Sequence, residues 1–224
     1  MIDRTARNDL AALIRSYLSE QLTAFEFDEA LDEFRVSGDD AVMYVADAVW
    51  YHYDDCEDHL VVLTKPEWNY FQRLLLLLES NSTVRFTKTR YWNCSQIIAV
   101  VLLLCCGLIA AQTGIGAHLY LYFIPLGIGS IILSFLRRPS GECGPYAAIV
   151  FPFSSIQDLR IAYDNAQFHK VRYPKHLSDR SLRSPFMNWF WVVHNYVCWS
   201  ICAPIPLLAQ CFPVTNSEVS IDPS

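Results

Sequence analysis

The sequence predicts a mainly α-helical membrane protein, and three observations lead to that fold class. Residues 94–136 contain no Asp, Glu, Lys or Arg, and 53% of the whole chain is hydrophobic. Residues 1–82 instead carry apolar side chains at helical spacing, with charged residues between them. We therefore expect a small N-terminal helical domain, a hairpin of two transmembrane helices, and a small α+β juxtamembrane region toward the C-terminus.

The charge-free stretch is long enough for two membrane crossings. A hydrocarbon core of roughly 30 Å needs about 20 apolar helical residues for each crossing. We place the two spans at 94–111 and 119–136, joined by a turn at 112–117 that contains two glycines. The N-terminal sequence MIDRTARNDL lacks the apolar core of a signal peptide, so we expect the hairpin itself to direct the chain to a membrane.

The orientation of the hairpin follows from its basic flanks. Arg85, Lys88 and Arg90 precede the first span, and Arg137 and Arg138 follow the second. The turn contains no basic residue. Because cytoplasmic loops are enriched in Lys and Arg, we expect both flanks, and with them the N-terminal domain, to be cytoplasmic.

Small residues recur at helical spacing within the spans. They are Gly107, Ala111, Gly127, Ser130 and Ser134. Small side chains let helix backbones approach closely in lipid, where apolar burial alone does not drive association. Two interpretations remain: the spans pack on each other, or these residues form the contact surface of a homo-oligomer.

The N-terminal domain, residues 1–82, is predicted to contain four short helices. The first begins at Asn8 or Asp9, and a second covers 25–34. A third follows residues 37–40, which resemble a capping box, and extends to about Tyr51. The fourth begins at Thr64, where a capping threonine precedes a proline and a glutamate, and it extends to about Glu79 with Trp68 facing inward.

The charge of the N-terminal portion argues against one class of partner. Residues 1–91 hold 17 acidic and 9 basic residues, a net charge of −8. An acidic surface repels the phosphate backbone, so we expect no nucleic-acid binding.

The remaining segments are smaller. Residues 83–93 form a juxtamembrane linker, in which a short strand is possible. The basic segment 137–185 is expected to be cytoplasmic, with a β-like stretch at 146–153 and a helix from about Ser155 to Gln167. Residues 213–224 form a tail.

Residues 186–212 are apolar but differ from the two spans. They contain three tryptophans, several polar residues, and prolines at 204 and 206. Tryptophan favours headgroup depth, and proline interrupts helical hydrogen bonding. We predict that 189–209 lies at the membrane interface or packs on the hairpin; the alternative is a third span.

One group of residues has the composition of a metal site. If the third helix continues, His52, Cys56 and His59 fall on one face, where imidazole and thiolate can ligate Zn²⁺. The alternative is a solvated acidic helix end, because four acidic residues lie between the histidines. No other cofactor is expected.

The sequence contains no HExxH, no GxSxG and no phosphate-binding glycine loop. The leading hypothesis is therefore a non-enzymatic, membrane-anchored protein whose helical domain binds a protein partner or has a regulatory role. One alternative is an oligomeric membrane-active effector or small channel. A second is a metal-dependent enzyme that uses residues 52–59.

Overall fold

The computed structural model describes residues 2–52, 57–137, 146–166 and 168–223. The chain is mostly helical and divides into two compact units. The first, here called the helical unit, comprises Met1–Thr87, Glu142–Leu182 and Glu218–Ser224. The second, the apolar unit, comprises Lys88–Gly141 and Arg183–Ser217.

The elements are numbered in chain order. The helices are α1 (Arg4–Leu18), α2 (Ala24–Leu31), α3 (Asp40–Trp50), α4 (Lys65–Glu79), α5 (Cys94–Thr113), α6 (Leu119–Leu136), α7 (Ala147–Val150), α8 (Ile156–Ala166), α9 (Pro185–Ile201) and α10 (Pro204–Gln210). Single 3₁₀ turns occupy Phe34–Val36 and Lys175–Leu177. Strands β1 (Thr83–Tyr91) and β2 (Val214–Asp222) pair with each other.

Side-chain caps set most helix starts in the helical unit. The predicted capping box of α4 is confirmed: the Thr64 backbone N–H donates to Glu67 Oε2 at 2.7 Å. Helix α1 begins earlier than predicted, because Asp3 rather than Asn8 caps it, accepting from the Ala6 N–H at 3.0 Å. Caps satisfy backbone donors that a helix leaves unpaired at its first turn.

The core of the helical unit draws on segments that are distant in sequence. Its buried side chains from α1 to α4 include Leu10, Ile14, Phe27, Leu31, Val45, Phe71 and Leu74. The same cluster contains Phe153, Ala162, Leu177 and Ile221, which follow the apolar stretch 94–136. The core therefore extends beyond residues 1–82.

A buried ion pair connects the ends of three helices in this unit. The Arg7 guanidinium, 1% exposed, donates to Asp39 through Nε at 2.7 Å and Nη2 at 3.0 Å. Its Nη1 donates to the carbonyls of Ser80 and Ser82, both at 3.0 Å, just after α4. Asp39 also accepts from the backbone N–H of Asp3. Each charge therefore has a partner, as a buried charge requires.

Two predictions about β structure had different outcomes. The possible strand after residue 83 is confirmed as β1. The β-like prediction for 146–153 is wrong, because Ala147–Val150 is a helical turn in which the Tyr146 carbonyl accepts from Ile149 and Val150. A short apolar run has no periodicity that separates a strand from a buried helical turn.

The apolar unit is built from α5, α6, α9 and α10. Helices α5 and α6 contain 20 and 18 residues, and both are long and apolar enough to cross a membrane. Helix α9 packs on α6, and α10 packs on α5 and α6. The pair α9 and α10 bends by 83° at its junction, and together the two have the length and composition of a broken span or of a re-entrant loop.

Candidate functional site

The outer surface of α5 and α6 is apolar. Its exposed side chains include Ile97, Leu104, Leu108, Leu121 and Ile132, and neither helix contains a charged residue. Monomeric soluble proteins rarely expose a contiguous apolar surface of this kind. In a hydrocarbon environment the same apolar side chains are favourable, and a helix satisfies its own backbone hydrogen bonds.

The polar groups inside the apolar unit bind one another. Ser130, fully buried, donates through Oγ to Gln210 Oε1 at 3.0 Å and accepts from Trp199 Nε1 at 3.1 Å. The Gln210 amide Nε2 donates back to the Ser130 carbonyl at 3.0 Å. At the end of α6, Arg137 donates to the carbonyls of Gln210 and Phe212 at 2.7 and 2.9 Å. These bonds fix α9 and α10 on α6.

The small residues predicted as a contact surface fall into two groups. At Gly127 an added Cβ would lie 2.4 Å from Ser200 Cα and carbonyl oxygen, so only glycine admits α9 this closely. Ser130 faces the same helix. Gly107 and Ala111 are exposed, and a Cβ at Gly107 meets nothing within 4 Å. The small residues of α6 thus allow close packing of α9 from the same chain. A homo-oligomer that forms through the small residues of α5 stays a prediction.

Two of the residues predicted to bind zinc, His52 and His59, lie among the described residues. His52 follows α3, with its ring 5.4 Å from that of Phe71 and its Nδ1 3.9 Å from Glu67 Oε1. Burial lowers the pKa of His52, and the nearby Glu67 carboxylate partly opposes that shift. His59 Nδ1 lies 2.7 Å from the Leu60 carbonyl.

The third predicted ligand, Cys56, lies outside the described residues. Among the residues that the structure describes, no three His, Cys, Asp or Glu side chains are grouped to hold a metal ion. Zinc binding by His52, Cys56 and His59 stays a prediction.

A cleft of about 540 Å³ lies beside Trp68 in the helical unit, and we call it the Trp68 cleft. Trp68 and Gln72 of α4 line it, together with Leu18, Leu75 and Phe168. The Trp68 indole donates to the Val171 carbonyl at 3.0 Å, and Gln72 Oε1 accepts from the Val171 N–H at 2.9 Å. These two bonds hold the chain after α8 along α4.

The Trp68 cleft contains an unpaired donor. Gln72 is 1% exposed, and its Nε2 has no hydrogen-bond partner among the described residues. A buried amide without a partner costs roughly 1–3 kcal/mol. This nitrogen exposes less than 1 Å² of surface, so an acceptor in the cleft would reach it only after neighbouring side chains move.

A second cleft, of about 470 Å³, is lined by three cations, and we call it the Lys65 cleft. Lys65 and Arg73 come from α4 and Lys170 from the segment after α8. Arg73 is 9% exposed and donates to the carbonyls of Phe151 and, at 3.3 Å, Ala148. Burial lowers the pKa of its guanidinium. The described residues that line the cleft include no carboxylate.

Comparison of the chain with models of known protein families finds no match, and neither does comparison with curated proteins or with solved structures.

Sequence reasoning missed both clefts. Each joins α4 to the 168–176 segment, roughly a hundred residues later in the chain. One local signal was present: five consecutive leucines, 74–78, indicate a helix covered on more than one side. All five are buried, which means that another segment must pack on the second face of α4.

Proposed function

We propose that the chain is an integral membrane protein anchored by α5 and α6, with its helical unit in the cytoplasm. The helical unit binds a protein partner and catalyses no reaction in this proposal. One observation carries the anchoring: two adjacent helices of 20 and 18 residues, both long and apolar enough to span, present apolar side chains outward.

The basic flanks support the cytoplasmic orientation. The turn 114–118 contains no Lys or Arg, whereas Arg85, Lys88 and Arg90 precede α5 and Arg137 follows α6. In this orientation the turn faces away from the cytoplasm. All three chain segments of the helical unit then lie on the same side of the membrane, which a shared core requires.

Labelling of single cysteines from each side tests the anchoring and its orientation. In a cysteine-free background, Ile115→Cys reports the turn, while Glu29→Cys and Lys175→Cys report exposed positions of the helical unit. We expect an impermeant maleimide to label the first from outside and the other two only after permeabilisation. Labelling of Glu29→Cys in intact cells would show that the orientation is the opposite of the one proposed. Full extraction of the protein by alkaline carbonate would exclude anchoring in the membrane.

The Trp68 cleft supports the partner-binding role. Its walls of Trp68, Leu75 and Phe168 suit an apolar side chain, and the unpaired Gln72 amide suits a backbone carbonyl. A polypeptide segment supplies both groups together. We therefore propose an extended segment of a protein partner as the occupant.

Site-directed crosslinking tests this role in native membranes. A photoreactive group at His169, which lines the cleft, should give a discrete adduct, and one at exposed Arg172 outside the lining should not. Gln72→Met should reduce the His169 adduct; because it also removes the bond from the Val171 N–H, its melting temperature is compared with that of the wild type to separate lost stability from lost binding. Equal adducts from both positions would mean that the cleft does not select the partner.

A further inference from the structure

The Lys65 cleft is a concentration of positive charge in a protein with a net charge of −6. Lys65, Asn69 and Arg73 are spaced by four residues along α4, so they share one helix face. Lys170 and Tyr163 reach the same cleft from α8 and the segment that follows it. Two separate stretches of chain thus converge on one cavity with like charges.

Arg73 shows that this arrangement lacks a counter-charge. Within the described residues its guanidinium makes no ion pair, and its Nη1 donates no hydrogen bond. The two carbonyls that it contacts carry only partial charge. Arg73 is 9% exposed, and its guanidinium carbon lies 5.9 Å from the centroid of the Tyr70 ring, a contact that offsets part of its desolvation penalty. An anionic ligand would offset more of it.

Lys65 adds a second reason to expect an anion. It is the first residue of α4, where the helix dipole is positive and a cation is disfavoured. Glu67 in the same turn is occupied by the capping box with Thr64. An anion in the cleft would compensate both Lys65 and the helix end.

The rest of the lining is apolar and includes Pro66, Ala148, Ile149 and Leu159. A volume of about 470 Å³ falls in the range of small-molecule sites. From the charge, the walls and the size together we infer that the Lys65 cleft binds an organic phosphate monoester, with the phosphate between Lys65, Arg73 and Lys170 and the carbon body on the apolar walls. A monoester carries nearly two negative charges at neutral pH, which matches three cations better than a single carboxylate does.

This inference concerns a different cleft from the one proposed for the protein partner and does not depend on it. The phosphate monoester has two possible sources: a soluble metabolite, or the headgroup of a lipid such as phosphatidate. The two sources share the chemistry that the cleft recognises, and the experiment separates them.

The test uses the full chain in nanodiscs of zwitterionic lipid, titrated calorimetrically with glycerol 3-phosphate. We expect saturable binding that Lys65→Gln/Lys170→Gln weakens by at least about tenfold, since two charge-assisted contacts are lost. Both lysines are exposed, so the double variant should fold. Lys175→Gln removes an exposed lysine outside the cleft and should change the dissociation constant less than about twofold.

A lipid arm compares nanodiscs that contain phosphatidate with nanodiscs that contain phosphatidylglycerol at equal surface charge. If the lipid is the source, phosphatidate alone should raise the melting temperature of the wild-type chain, and the double variant should lose that rise. The inference is overturned if the double variant matches the wild type in both arms, if neither probe binds, or if phosphatidylglycerol gives the same rise as phosphatidate.

Discussion

The two units of this chain use leucine in opposite ways. In the helical unit Leu74 and Leu76 of α4 are fully buried, whereas in the apolar unit Leu104 and Leu108 of α5 are about 60% exposed. The leucines of α4 are buried because this helix packs on α1, α3 and α8. Helix α5 lacks charged residues altogether, so the solvent that suits its outer face is hydrocarbon.

The two units also differ in whether their buried polar groups are charged. The helical unit buries a charged pair, Arg7 with Asp39, and satisfies it with backbone groups. The apolar unit buries an uncharged pair, Ser130 with Gln210. Charge is costly within a bilayer, whereas a neutral amide and hydroxyl can satisfy each other there. The two units therefore differ in their outer surfaces and in their buried polar groups, and the predictions below test whether the apolar unit faces lipid, as proposed.

The largest effect is expected from Asp39→Ala in the helical unit. Removing one partner of a buried ion pair leaves Arg7 uncompensated, at a cost of about 3–5 kcal/mol. Hydrogen exchange of α1 and α4 amides in the solubilised full chain should detect the loss, with little change in α5 and α6. The control Asp32→Ala removes an exposed partner of Arg35 and should cost less than about 0.5 kcal/mol. Equal effects of the two variants would contradict the structural role of Asp39.

The stability of the helical unit should depend on pH through the carboxyl group of Asp39. Burial alone would raise the pKa of Asp39, but hydrogen bonds from Arg7 and from the N–H groups of Asp3 and Ala41 outweigh it, so the pKa lies below 3.8. A carboxyl whose pKa is lowered on folding stabilises the fold above its unfolded pKa, and loses that contribution as pH falls through the folded value. The helical unit should therefore destabilise below about pH 4, and more steeply in the wild type than in Asp39→Asn. Parallel pH profiles for the two proteins would show that another group controls acid unfolding.

In the apolar unit the matching prediction is Leu104→Arg. Leu104 is 61% exposed near the middle of α5, and arginine at the centre of a span costs about 2.5–3.5 kcal/mol of insertion free energy. The fraction of protein that resists carbonate extraction should fall. Ile115→Arg, in the turn and 96% exposed, serves as the control and should insert normally. If α5 faces water, Leu104→Arg will fold normally and improve solubility, which would remove the contrast between the units.

A smaller effect is expected at the contact between α6 and α9. Gly127→Ala places a methyl group against the Ser200 backbone and should cost about 1–3 kcal/mol, because backbone cannot move aside as a side chain can. Gly107→Ala has open space around it and should be neutral or slightly stabilising. Thermal unfolding in detergent compares the two variants. Equal melting temperatures would place α9 away from Gly127.

Sequence reasoning recovered the elements whose signals are local. The capping box at Thr64 located α4, and the absence of charge located α5 and α6 within two residues at each end. Contacts between distant segments left no such signal. The pairing of β1 with β2, the burial of Leu177 against the N-terminal helices and the approach of Lys170 to Lys65 all join residues about a hundred or more positions apart. A single sequence specifies these contacts through packing, which periodicity and spacing do not display.

The smallest expected effect concerns how a helix ends in each unit. Helix α5 is followed by Gly114 at φ 76°, a left-handed conformation that glycine adopts freely. After α1 the left-handed position is instead Glu20, at φ 63°. The bonds from Glu20 N–H to the Tyr17 carbonyl and from Gln21 N–H to the Ser16 carbonyl, both at 3.0 Å, form the Schellman motif that usually has glycine at this position.

Glu20 is retained in this strained conformation together with an ion pair, since its carboxylate binds Arg180 and lies 3.1 Å from His176 Nε2. Glu20→Gly should therefore have nearly no net effect, because about 1 kcal/mol of relieved strain is offset by the lost pair. In an Arg180→Ala background the pair with Arg180 is already absent and only the exposed His176 contact remains, so Glu20→Gly should then stabilise the helical unit by about 0.5–1 kcal/mol. Gly114→Ala in the apolar unit should cost about 1 kcal/mol, because its Cβ has room but its backbone angle does not suit alanine. Thermal unfolding of the four variants measures these changes in stability. A destabilising Glu20→Gly in the Arg180→Ala background would contradict the strain assigned to Glu20. A stabilising Gly114→Ala would contradict the strain expected for alanine at the backbone angle of Gly114.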